Sequence, residues 1–179
     1  MAKRKEPRVS TTDAEARVMK MADGGYRPAY NGQFASDPET QVIVALDIDT
    51  TGSDHGLIGL MQEQIGQTYG QAPKQYLVEG GFTKLEDIER AHQKGIEIFA
   101  PPPSNKHATD RFAPREDDGP GTEAWRKRMS SEEDKAVYRL RAKAECVNAD
   151  LRNRGLRTCC SGGARKCGRC CCGLRLRTI

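Results

Sequence analysis

Tyr138, Arg141, Glu145 and Arg152 follow one another at spacings of three, four and seven residues. Each spacing returns an α-helix to nearly the same face, so the four predict one stripe in which a single acid sits among two bases and a phenol. Such a stripe suits i,i+4 ion pairs on a solvated face. A second acid, Glu79, precedes Gly80 and Gly81 directly after an apolar run. A carboxylate at a strand end next to glycines leaves backbone room for a metal ion and a large anionic substrate, and carboxylates from separate elements are what hold divalent ions in phosphodiester chemistry. The alternative for Glu79 is an exposed strand-end acid.

The stripe needs a helix, and 131–153 predicts a single one. Ser130 or Ser131 can cap it, Glu132 and Glu133 suit its positive end, and Gly155 stops it. Glu79 needs a strand, which Gln75 to Val78 supplies, followed by a helix from about Lys84 to Lys94, closed by Gly95, and a strand from Ile96 to Phe99. Upstream, Tyr30 to Ser36 and Gln41 to Asp47 predict an antiparallel hairpin around an Asp37-Pro38-Glu39-Thr40 turn, with Val42, Val44 and Leu46 on one half-buried face. Ser53 to Tyr69 predicts a helix capped by Ser53, ended by Gly70, with an apolar stripe of Leu57, Leu60, Met61 and Ile65. Residues 1–9 are expected to be disordered. Residues 104–129 are expected to be an inserted loop, with Trp125 on a short helix.

The order Tyr138, two residues, Arg141, three residues, Glu145, six residues, Arg152 resembles the C-terminal signature of bacterial insertion-sequence transposases of the DDE class. Arg152 stands where that family usually has Lys, and Glu79-Gly80-Gly81-Phe82 where it has an Asp-Gly-Gly-Phe type of run. Thr12-Asp13-Ala14-Glu15-Ala16-Arg17 resembles a family segment with Pro at the position of Ala14. The resemblance covers about Ser10 to Arg157. It implies an α/β, ribonuclease H-like fold with a mixed sheet flanked by helices, here as a C-terminal part lacking the first strand. It implies metal-dependent cleavage and strand transfer at transposon ends, with DNA as partner and Mg2+ or Mn2+ as cofactor. Carried over residue by residue, Glu145 and Glu79 are the catalytic, metal-binding carboxylates, and Tyr138, Arg141 and Arg152 face DNA. The first carboxylate is open among Asp13, Asp47, Asp49 and Asp54. With Glu at 79 and that acid unassigned, this copy is expected to be inactive.

Charge and cysteine divide the chain near Thr158. Six of the 29 basic residues follow Gly155 and none of the 25 acids does; six of the seven cysteines lie beyond Thr158. A cation-rich arm of this kind supports a rival reading, a non-catalytic protein that binds nucleic acid through its tail. Cys167 and Cys170 have zinc-like spacing, but adjacent cysteines do not converge on one tetrahedral centre. The tail, 158–179, shows no period of 3.6 or 2, is expected to lack a helix or strand, and has the composition of a GC-rich gene read out of frame. No apolar run approaches the roughly 18 residues of a membrane span and no secretory leader is evident, so a cytoplasmic location is expected.

Overall fold

The computed structural model describes residues 10, 13–21, 24–51, 56–103, 110–154 and 173–178, the last group by backbone only. Expectations for 1–9, for the Ser53 cap and for the cysteines of the tail lie outside these residues.

Strands β1 (Arg17–Lys20), β2 (Tyr26–Ser36) and β3 (Ile43–Asp49) form an antiparallel meander. A strand therefore does precede the hairpin, although RVMK carries no acid. The β2–β3 turn is closed by Asp37, whose carboxylate accepts from the Thr40 N–H and hydroxyl at 3.1 and 2.5 Å. On β3 the expected face is kept only at its centre: Val44 is half-buried and packs against the core, whereas Val42 and Leu46 are exposed. Ala45 is buried opposite Ala35, and helix α1 (Ile58–Tyr69) packs against the strand.

Helix α1 is described from Ile58, and Gly56 just before it adopts a left-handed φ of 85°. Ile58, Met61 and Ile65 face inward and Leu60 does not. Gly70 ends the helix as expected, its N–H bonding to the Gly66 carbonyl.

Strand β4 (Gln75–Leu77) leads through a 3-10 turn to helix α2 (Leu85–Gln93) and back to β5 (Glu97–Phe99), which pairs with β4 in parallel. Among the described residues this βαβ unit forms a two-stranded sheet of its own, apart from the four-stranded sheet, which is mixed as expected. Strand β6 (Gly173–Thr178) pairs in parallel with β2. The Leu-Arg alternation of Gly-Leu-Arg-Leu-Arg-Thr is the period of two that the compositional reading of the tail overlooked.

The core lies between α1 and the βαβ unit and continues into helix α3 (Pro120–Ser130), the short helix expected around Trp125, here eleven residues long. Trp125 is 1% exposed and its indole N–H donates to the Ala100 carbonyl at 3.0 Å, fixing α3 to the end of β5. Beside it Arg126 and Asp118 form a two-pronged ion pair, 2.6 Å at its shorter contact, with side chains 1% and 3% exposed. The third guanidinium nitrogen donates to the Arg111 carbonyl, so the buried charge is fully partnered. The first turn of α3 lacks a cap of its own. Glu89 of α2 supplies it, accepting from the N–H groups of Gly121 and Thr122 at 3.0 and 2.6 Å and from the Thr122 hydroxyl. Helix α3 is followed by α4 (Glu132–Arg139) and α5 (Ala142–Asn153).

Asp118→Asn leaves Arg126 buried without its counter-charge, so urea unfolding should show a loss of roughly 3 kcal/mol or more. Burial pushes the Glu89 carboxyl up, but the Thr122 hydroxyl and N–H, the Gly121 N–H and His92 outweigh it and hold its pKa below the ordinary 4.5. Its contribution is therefore complete above pH 4.5 and lost as pH falls through the lower folded value. Glu89→Ala should cost about 1 kcal/mol near neutrality, with the deficit shrinking in acid, which unfolding curves at pH 7 and pH 3 will measure.

Candidate active site

Glu79 leaves β4 at a fixed point. The β4–β5 ladder runs on through a bond from the Val78 N–H to the Phe99 carbonyl, and Val78 is fully buried. The chain then turns through Gly80–Phe82, with the Phe82 N–H bonded to the Glu79 carbonyl at 3.0 Å and the Phe82 ring wholly buried. Gly80 sits close to the chain after β5: a Cβ there would lie 3.2 Å from the Pro101 carbonyl oxygen and 3.3 Å from its ring, tighter than an ordinary contact. Between a ladder on one side and a buried phenylalanine on the other, the Glu79 side chain is directed outward.

The helix expected over 131–153 is two helices. Ser131 caps α4 by accepting from the Asp134 N–H at 3.4 Å. At Leu140 and Arg141 the bonding shortens to i→i−3: Leu140 to Val137 and Arg141 to Tyr138 at 3.0 Å, and Ala144 to Arg141 at 2.9 Å. This local 3-10 tightening is the joint between α4 and α5, and such a change inside a helical run marks a strained or functional position. Its residue is Arg141.

One guanidinium holds both candidate carboxylates. Arg141 Nη1 lies 3.1 Å from Glu79 Oε1, and Nη2 lies 2.9 Å from Glu145 Oε1. Its carbon sits 5.7 Å from the centre of the Tyr138 ring. Burial works against the arginine's charge, but Tyr138, Glu79 and Glu145 together hold its pKa above the ordinary value. The i,i+4 ion pair of the plain reading is thus present between Arg141 and Glu145, and Glu79 joins it from 62 residues before Arg141. Sequence spacing offered no signal that Arg141 bridges acids.

Of the five expected residues, four meet here. Arg152 is exposed near the end of α5. The open question of a first carboxylate finds no acid at this cluster. Asp13 is buried and accepts from the Tyr30 hydroxyl at 2.9 and 3.0 Å. Asp47 accepts from the Ile48 N–H, and Asp49 from the N–H groups of Thr50 and Thr51 and the Thr51 hydroxyl. Asp54 lies outside the described residues. A cavity of about 280 Å³ beside Arg141 is lined by Val44, Ile65, Tyr76 and Leu140, and its one carboxylate, Asp37, is engaged by its own turn.

Oxygen donors suit Mg2+ or Mn2+, but as arranged these residues do not form a metal site. Among the described residues no three His, Cys, Asp or Glu side chains converge on one point. The two acids that do converge already share a cation.

No helix of the described residues is long and apolar enough to cross a membrane. No curated protein and no solved structure matches the chain significantly. A family model, described as "Transposase DDE domain", matches residues 5–167, past Arg157 and into the cysteine-rich tail. With nearly the whole sequence covered, and with the acid-bearing strand end brought together in space with Tyr138, Arg141 and Glu145 at the α4–α5 joint, this chain belongs to the transposase DDE domain family.

Proposed function

We propose that the chain is a DDE transposase polypeptide of insertion-sequence type, that Glu79 and Glu145 occupy the positions of two metal-facing carboxylates, and that the chain by itself does not cut DNA. The family assignment supports a role in DNA transposition and implies a ribonuclease H-like fold, a divalent metal and a DNA substrate. The observation that carries the residue assignment is the convergence of Glu79 and Glu145, from a strand end and a helix, on one guanidinium.

Two-metal phosphodiester chemistry needs carboxylates that both attract cations and fix their geometry. Here the pair is charge-compensated by Arg141 and joined by no third acid among the described residues. The exposed Arg152 sits further along α5 and offers a phosphate backbone a cationic contact, whereas at the cluster the charge of Arg141 is taken up by the two acids.

The test is incubation of the purified chain with supercoiled plasmid carrying the element's flanking DNA, in Mg2+ or Mn2+. Wild type and Glu145→Gln are expected to give the same background of nicked product. Binding to that DNA is expected to weaken steeply with salt, and Arg152→Ala should lower the slope of log affinity against log salt by about one. Nicking that needs Mn2+ and disappears in Glu145→Gln would contradict the inactivity of this chain.

A further inference from the structure

We infer that Arg141 is the resident counter-ion of the Glu79 and Glu145 carboxylates and that its guanidinium keeps divalent cations out of the space between them; this rests on the reading of those two acids as metal-facing. Each amino group of the fork takes one Oε1, at 3.1 and 2.9 Å. A divalent ion approaching the same carboxylates meets a fixed positive charge, and one oxygen of each is already engaged by the fork.

The arrangement places the lock inside and the acids outside. The Arg141 side chain is 20% exposed, against 39% for Glu79 and 61% for Glu145. An ion arriving from solvent therefore reaches the carboxylates readily, and what opposes it is the guanidinium behind them. The Tyr138 ring and the tightened α4–α5 joint hold that guanidinium in place.

Length at position 79 matters to the same contact. An aspartate there would withdraw its oxygens by about 1.5 Å, one carbon–carbon bond, beyond hydrogen-bond reach of Arg141 from this backbone position. Glutamate at 79 and the arginine bridge are thus parts of one device. A residue that merely scaffolded the acids would lower metal affinity when removed; a counter-ion raises it.

Mn2+ titration of the full chain, followed by electron paramagnetic resonance of the free ion, separates these outcomes. Arg141→Gln is expected to bind Mn2+ about tenfold or more tightly than wild type, the scale on which one neighbouring charge shifts an ionisation constant. Adding Glu145→Gln to that variant should abolish the gain. Arg141→Gln should also melt below wild type without metal and recover with Mn2+. If circular dichroism shows Arg141→Gln unfolded, Arg141→Lys serves instead, with a smaller gain expected because an ammonium cannot hold both acids in a fork. Equal Mn2+ affinity in wild type and Arg141→Gln, lost in both with Glu145→Gln, overturns the counter-ion role and leaves the carboxylate reading standing. No binding in any variant overturns both.

Discussion

The Arg141 fork is the contact on which the site depends. It joins the end of β4 to the joint between α4 and α5, elements that are distant in sequence and share no hydrogen-bonded ladder. Both carboxylates are substantially exposed and each belongs to a side chain with several free rotations, which the fork restricts. A single planar guanidinium fixes both because its two amino groups point in set directions. A lysine would hold one acid at a time.

What brings the fork to its partners is the packing behind it. The parallel β4–β5 pair is short, so its position rests on the side chains around it: Val78 and Phe82 on one side, and Trp125 with its bond to the Ala100 carbonyl on the other. Glu89 caps α3 from α2, and the buried Asp118–Arg126 pair secures the approach to α3. Helix α4 follows α3 after one residue and lays Val137 and Tyr138 against the core. The site is therefore built on a tryptophan anchor and two buried polar contacts, with its acids at the surface.

Much of this was legible in the sequence wherever one residue type forces a local event. Gly70 and Gly95 end helices as expected, both with positive φ, and Asp37 closes its turn. The strand before Glu79 and the glycines after it were legible for the same reason. Leu60 lies two residues after Ile58, about 200° round the helix, and so faces out while Ile58, Met61 and Ile65 face in. The other misreadings share a cause in contacts that spacing does not encode. Of the alternating Val42, Val44 and Leu46 only Val44 packs against the core, and the buried Ala45 beside it is too small to stand out in an apolar pattern. The split of the late helix at Arg141 coincides with a partner 62 residues away, and Asp118 and Arg126 look in sequence like any other surface charges. The family resemblance located Glu79 and Glu145, while the guanidinium between them is a fact of geometry alone.

The most direct measurement of the central claim is a double-mutant cycle on unfolding free energy with Glu79→Gln and Arg141→Gln. The two changes should not be additive, with a coupling on the order of 0.5–1 kcal/mol, the size of a partly exposed but well-oriented charge pair. Additivity within about 0.3 kcal/mol would contradict it, and would mean that Glu79 and Arg141 do not share an ion pair in solution.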